Sequence, residues 1–326
     1  VFKENTFVIP IIRGDLLPRC LETLYKYTPD NFYVIVIDQT KKGIDMELRD
    51  KYKNLMIIRS PLTDRHRTGN LGFQKASNIG LALTQTPYIT FLNDDVVFIS
   101  DKWWQGIIDT FEKVEKATPT RPALLVTAAS IKLPDWSVGK PKGEDHYIMP
   151  YKDTYSEQDY DDLINKDHYI NEHLTITKGS VIDGINLYCS VADTKKLIEC
   201  GGLDELWYPG SAGDYDLCCV ASMHGYRCIG TTLSWVFHHW SKSFRAIEEG
   251  EDVASLAIPA LHHGDLKEKW GMRLNKEGEE VPIHDLWGVR CTQCDEILHT
   301  DDGQRATCPK HSDEVYAIPE NTITPL

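Results

Sequence analysis

The chain has no apolar run near the ~18–20 residues a helix needs to cross a bilayer, so no helical membrane span is written in it. Its first residues show no charged stretch followed by an apolar one, the pattern of a secretory leader. It is short of positive charge. Its 35 Lys and Arg against 49 Asp and Glu leave a formal net charge of −14. That balance disfavours non-specific binding to nucleic acid or to an anionic membrane, while leaving room for a local basic groove. No internal repeat and no low-complexity tract occurs, which rules out a repeat architecture. The cysteines number nine, and their spacing does not read as a disulfide framework. What remains is 326 residues, 41% hydrophobic and 26% charged. That is enough for one large core, or for one core with an appendage.

Strand-like and helix-like segments alternate through the first half. "TFVIPII", "NFYVIVIDQT", "LMIIRS" and "YITFLNDD" read as apolar strands. Between and after them, "LLPRCLETLYKYT", "GFQKASNIGLALTQT" and "WWQGIIDTFEKVEKA" carry apolar residues at helical spacing. This order predicts an α/β fold, with a mixed, mostly parallel sheet and helices on both faces. Ligands of such sheets bind beyond the carboxyl ends of the strands, where Asp38 and Asn93-Asp94-Asp95 fall. Residues 136–178 are polar and aromatic and read as a functional insertion. The pattern resumes at "VIDGINLYCSVADTKKLIECGG", then "DYDLCCVASMHGYRCIG", then "LSWVFHHW".

Three clusters carry chemistry. Asp94 and Asp95 either turn a strand into water or hold a hard divalent cation, Mg²⁺ or Mn²⁺, which takes one or two carboxylates and completes its shell with water and phosphate. In "GDYDLC", Asp214 and Asp216 open a helix, where acidic residues complement the dipole. The preceding "LWYPGSAG" suits a pocket wall. In "VFHHWSKS", His238 and His239 point to opposite faces of a strand end, and Ser241, Lys242 and Ser243 suit phosphate oxygens. The tail adds Cys291-x₂-Cys294-x₁₃-Cys308-x₂-His311. Two knuckles of this spacing suit a tetrahedral, closed and therefore structural zinc site. The other six cysteines, at 20, 189, 200, 218, 219 and 228, lie in apolar segments and read as buried thiols. Thiols beside a zinc knuckle indicate a reducing compartment and a cytoplasmic location.

The order of these pieces resembles the inverting nucleotide-sugar glycosyltransferases of family 2, which have the GT-A fold. "FVIPIIRGDLLPRCLETLYKYT" stands for the family's opening strand and helix, and "VIDQT" for its "VDDGS". "ASNIG" stands for "A-R-N-x-G" and "FLNDDV" for the metal motif. "GGLDELWYPGSAGDYDLCC" stands for "GGFDE…EDxDL", and "VFHHWSKSF" followed by "KWG" for the closing segment. The likeness covers roughly residues 5–275. It implies that Pro10 and Ile12 line the base pocket, that Arg13 approaches the diphosphate and that Asp38 contacts base or ribose. It also implies that Asn78 flanks the nucleotide, that Asp94 binds ribose or sugar hydroxyls, that Asp95 ligates Mn²⁺ or Mg²⁺ and that His238, ahead of His239, helps hold the cation or the diphosphate. Lys242 would meet phosphate and Asp214 would be the general base. The implied donor is a nucleoside-diphosphate sugar, with UDP-sugar the leading candidate. The acceptor is a hydroxyl on a glycan, protein, lipid or modified nucleobase.

Departures from the family pattern are Ile11-Ile12 for Thr-Tyr, Gln39 for Asp, Ser77 for Arg and Gly213 for Glu. Arg65, Arg67 or Lys75 would compensate for the missing cation at position 77. The expected division is a GT-A domain over 1–285, with a donor half of about 1–120 and an acceptor half of about 121–285, and a zinc-binding tail over 286–326. A catalytically silent binding protein that uses its zinc tail to hold a partner is the competing reading, supported by Gly213. A nucleotidyltransferase would want a Gly-rich, Arg-containing loop after the first strand, and "PIIRGDLLPR" has one glycine.

Overall fold

Strand β1 (Asn5–Ile11) shows why the sheet is covered on both sides. Successive side chains of a strand point to opposite faces. Phe7, Ile9 and Ile11 enter one apolar cluster and Val8 enters another, all of them fully buried. The elements that follow are α1 (Leu17–Tyr27), β2 (Phe32–Asp38), α2 (Glu47–Lys51), β3 (Leu55–Arg59) and α3 (Phe73–Leu83). Then come β4 (Tyr88–Leu92), β5 (Val96–Phe98), α4 (Lys102–Ala117) and β6 (Ala123–Ile131). After a short hairpin, β7 (His168–Asn171) and β8 (Leu174–Ile176), the order continues with β9 (Val181–Asp183), β10 (Cys189–Asp193), α5 (Thr194–Glu199), α6 (Gly213–Met223) and β11 (Arg227–His238). The computed structural model describes residues 5–29, 31–60, 70–131, 158, 168–171, 174–176, 181–183, 186–210, 212–238, 265–266, 268–270, 272–274, 280–282, 287–300, 305–311 and 314–316. Most of the insertion at 136–178, together with Arg65, Arg67, His239 and Lys242, lies outside the described residues.

The main sheet runs β3-β2-β1-β4-β10-β6-β11-β5, with β9 also on β11. Pairing is parallel from β3 to β4 and between β6 and β11. It is antiparallel where β10 joins β4 to β6 and where β5 and β9 join β11. The expected mixed α/β sheet is present, with parallel pairing concentrated in the first half. Helices α1 and α4 cover one face through Leu17, Leu21, Leu24, Trp103, Ile107 and Phe111. Helices α3, α5 and α6 cover the other through Ala76, Leu81, Leu197, Leu217 and Ala221. Gly106 lets α4 lie directly on β11, since a Cβ there would stand 2.0 Å from the Leu233 carbonyl oxygen.

Beyond β11, Leu266 and Trp270 pack on Trp207 and on Ala212, Cys219, Val220 and Met223 at α6. A hairpin of β12 (Met272–Leu274) and β13 (Glu280–Pro282) follows. The tail is two more hairpins, β14 (Trp287–Arg290) with β15 (Ile297–Thr300), and β16 (Arg305–Thr307) with β17 (Glu314–Tyr316). Among the described residues no helix is long and apolar enough to cross a membrane.

Candidate active site and metal centre

The run from Tyr88 to Ser100 reads as an apolar strand that ends at Asn93-Asp94-Asp95, followed by further apolar residues. The structure breaks it into β4 and β5, which occupy separate places in the sheet, with Asn93-Asp94-Asp95 at the junction. β5 pairs antiparallel with the end of β11, so that His238 stands opposite Val96. That register brings His238 to Asp95, with Nε2 3.1 Å from Oδ1 and both side chains buried. Asn93 supports the pair. Its backbone N–H donates to the Tyr188 carbonyl at 2.8 Å, and its Nδ2 lies 3.4 Å from His238 Nε2. The Tyr188 ring stacks on the imidazole with centroids 4.6 Å apart. Tyr188 was not foreseen, because in "INLYCSV" it reads as an ordinary strand residue.

Asp94 is 6% exposed. Burial first, then the carboxylates of Asp95 and Asp15, push its pKa up to about 7, against the pull of its own N–H and that of Gly14. Two buried carboxylates side by side favour neutralisation, by a proton or by a cation. A divalent cation fits Asp95 and His238, which supply two ligands and leave positions for water and phosphate. Arg13 stands at the rim with Asp15, 3.1 Å from Nε to Oδ1. Pro10 and Ile12 are partly buried at the end of β1, beside β2.

Asp38 ends β2 in the same layer, but its own chain occupies it. Its Oδ1 accepts from the N–H and hydroxyl of Thr40 at 2.9 and 2.6 Å. Its Oδ2 accepts from the Ile44 N–H at 3.1 Å and faces Arg59 Nη1 at 3.3 Å. Those bonds fix the loop after β2. Gln39 extends the brace by accepting from the Leu71 N–H at 2.6 Å. Asn78 likewise holds the loop after α5: its Nδ2 donates to the Leu203 carbonyl at 2.7 Å and to Glu205 at 3.2 Å, and its Oδ1 accepts from the Leu203 N–H at 3.0 Å.

Asp214 lies in the first turn of α6, which abuts the first turn of α3. The Phe73 N–H donates to the Pro209 carbonyl at 2.8 Å, and a Cβ on Gly213 would meet Gln74 Nε2 at 2.1 Å. Gln74 therefore fills the space that a side chain at 213 would need. Its amide is buried, with no hydrogen-bond partner for either polar atom. The Asp214 carboxylate accepts from the Tyr215 N–H at 3.0 Å, and burial raises its pKa against that bond. Asp216 has a different task. Its Oδ1 accepts from Trp270 Nε1 at 2.6 Å and lies 2.6 Å from Lys269 Nζ.

In the tail, the ligand atoms of Cys291, Cys294, Cys308 and His311 all lie within 4.8 Å of one another. Cys294 Sγ and Cys308 Sγ are 3.7 Å apart. A tetrahedron with Zn–S bonds of ~2.3 Å has an edge of ~3.8 Å, so the cluster is shaped for that ion and too wide for a disulfide. Of the six other cysteines, 20, 189 and 228 are buried as expected, whereas 200, 218 and 219 are only half-buried. These three sit at or beside helix surfaces, where the apolar pattern is one-sided.

The parallel strands that end at Asp38 and just before Asp94 and Asp95, in a mixed sheet covered by helices on both faces, have the arrangement of the GT-A class of glycosyltransferases. Residues 6–164 match the model of glycosyl transferase family 2. Similar solved structures include the mannosyltransferase PcManGT from Pyrobaculum calidifontis in complex with GDP-Man and Mn²⁺ (14% identity, TM-score 0.45, 80% of this chain and 68% of that one). Another is residues 1–349 of TarS from S. aureus (13% identity, TM-score 0.46, 81% and 72%). A third is GalNAc-T7 with UDP, GalNAc and Mn²⁺ (11% identity, TM-score 0.48, 94% and 70%). No curated protein matches the chain.

Proposed function

We propose that the protein is a metal-dependent, inverting glycosyltransferase that moves a sugar from a nucleoside diphosphate, with UDP the first candidate, to an acceptor hydroxyl. The carrying observation is the buried contact between Asp95 and His238. It supports a cation site that is completed by a diphosphate. An imidazole ligand favours Mn²⁺ over Mg²⁺, which prefers oxygen. When bound, such a cation stabilises the charge gathering on the departing diphosphate.

The chain's own residues supply the rest. Arg13 and, in the segment outside the described residues, Lys242 and its flanking serines meet phosphate. Pro10 and Ile12 border the base pocket. Asp38 and Asn78 shape its walls through the loops they brace, and Asp94 meets sugar or ribose hydroxyls. Asp214 takes the acceptor's proton as the acceptor oxygen forms its bond to the anomeric carbon. The anomeric C–O bond to the diphosphate breaks, and its electron pair leaves with the nucleotide. A positioned base of this kind contributes typically 10²–10⁴-fold. The Cys₃His cluster holds a structural zinc. A reducing, cytoplasmic compartment suits its thiols, and the division at about residue 285 separates its module from the transferase domain.

Gly213, with Gln74 in the space beside it, favours a second reading, a silent binding protein of the same fold. A thermal-shift screen of UDP-, GDP- and dTDP-sugars with and without Mn²⁺ tests the donor site, since a ligand of the folded state raises stability by RT ln(1 + [L]/Kd). The transferase reading expects a Mn²⁺-dependent shift and slow sugar-nucleotide hydrolysis that Asp95→Ala abolishes. Binding without hydrolysis supports the silent reading. No shift with any donor overturns the transferase reading.

A further inference from the structure

The chain beyond β11 returns to α6 twice, once at each end of the helix. At the first turn, Trp270 and Lys269 both bond Asp216, which is 2% exposed. Lys269 also reaches Asp204 Oδ2 at 2.7 Å and so ties α6 to the loop after α5. At the last turn stands Arg290, whose side chain is 5% exposed. Its Nε donates to the carbonyl of His224, the C-cap of α6, at 3.0 Å. Its Nη2 bonds Glu199 at the end of α5, its Nη1 reaches Asp295 at 3.1 Å, and its guanidinium lies 4.0 Å over the Tyr226 ring. Its backbone N–H donates to Thr120 at 2.8 Å.

A helix's last carbonyls have no partner within the helix, and a cation there complements the dipole. Arg290 supplies both, and a guanidinium this buried is stable only when fully paired. Burial works against Glu199, yet the bonds from Arg290 and Tyr226 hold its pKa below the usual range.

The residue after Arg290 is Cys291. The Asp295 N–H donates to the Cys291 carbonyl at 2.8 Å, so both the guanidinium and one of its partners are carried by the first knuckle. We propose that the C-terminal extension is a clasp that positions α6, that the metal-loaded knuckle completes it through Arg290, and that its purpose is to hold Asp214 in place for the acceptor. The last clause rests on the reading of Asp214 as base. The clasp itself does not. The fixed path runs from metal to knuckle, from knuckle to Arg290, from Arg290 to the C-cap of α6, and along a rigid helix to Asp214. Arg290 is a positioning residue and touches no substrate. The tail then needs no partner to account for its presence.

The test uses the full chain. Elemental analysis should find one zinc per chain. Hydrogen exchange of the α6 amides is then compared for the loaded protein, the chelated protein and Arg290→Gln and Arg290→Lys. Loss of zinc or Arg290→Gln should speed exchange at the C-terminal turn of α6 by about tenfold or more. Arg290→Lys, which keeps the charge without the fork, should fall between. UDP affinity in the presence of Mn²⁺ should change by less than about twofold, while turnover of a UDP-sugar falls in kcat and not in KM. If zinc is absent, or its removal leaves α6 exchange unchanged, the clasp is overturned. If Arg290→Gln fails to fold, chelation of the unaltered chain decides the matter. If α6 responds but Asp214→Asn leaves turnover intact, the clasp stands and the assignment of the base falls.

Discussion

Between β1 and β6 the chain buries Phe7, Ile9, Leu21, Phe91, Trp103, Phe111 and many others in two clusters that sandwich a sheet. Between Arg290 and His311 the described buried cluster is Leu298 with Cys291 and Cys308, and Cys294 packs against it. The first region is stable because it removes large apolar area from water, each fully buried large side chain contributing roughly 1.5–3 kcal/mol. The second is too small for that. It has instead four converging thiol and imidazole groups and one buried arginine. The difference teaches where each region is vulnerable: the sheet to loss of volume or space and, on the proposed zinc reading, the knuckle to loss of a metal.

Chelation breaks the comparison most sharply. Structural zinc in such modules binds with an apparent ~10–16 kcal/mol, and this binding energy is also the module's folding energy. Cys294→Ser or a strong chelator should make residues 287–316 susceptible to protease. The near-ultraviolet signal of the aromatic core around Phe7, Phe98 and Trp103 should persist. Mass spectrometry of the fragments reads both at once. Cleavage spread evenly over the sheet would mean that the two regions are not held by separate means.

The next effect lies in the site. Asp214→Asn should bind donor nearly normally and lower transfer by about 10²–10⁴-fold. Burial raises the pKa of Asp214 above its ordinary value. Turnover should therefore fall with decreasing pH at an acidic limb above the ordinary carboxylate range, and the Asn variant should lack that limb. The stability effect has the opposite sense. A carboxylate whose folded pKa is raised contributes stability below its unfolded value and loses it as pH rises through the folded one. The Asn variant should thus be slightly more stable than the parent above that limb. Equal loss of donor binding and transfer would remove Asp214 from the role of base.

The sheet was legible because its signal is local. Apolar runs ending at Asp38 and at Asn93 mark strands that deliver polar groups to one edge, and helical spacing marks α1 and α4. The knuckle was legible because ligand spacing encodes metal geometry. What was hidden depends on pairing between distant segments. Nothing near Asp38 in sequence says that Arg59 and Ile44 will occupy its carboxylate. The apolar pattern cannot show that β5 crosses to β11, although that crossing is what joins His238 to Asp95. Arg290 reads as an ordinary strand-end cation, and its partners lie at 199, 224 and 226.

The smallest effects sharpen the contrast through two glycines that are required for different reasons. Gly106 has an ordinary backbone but no room, with the Leu233 carbonyl oxygen 2.0 Å from any Cβ. Gly106→Ala must push α4 off β11, at a cost of about 1–3 kcal/mol or more. Gly201 has open space on every side but a φ of +87°. It follows α5, where the Gly202 N–H donates back to the Leu197 carbonyl at 3.0 Å and closes the helix end. Gly201→Ala should cost only about 1–2 kcal/mol, all of it conformational. Asn tolerates the left-handed region, so Gly201→Asn should cost less than Ala, whereas Gly106→Asn should cost more than Gly106→Ala. Denaturant midpoints of the four variants read that crossing of order. The same ranking at both positions would mean that space, and not backbone angle, governs the helix end beside the clasp as it does the core of the sheet.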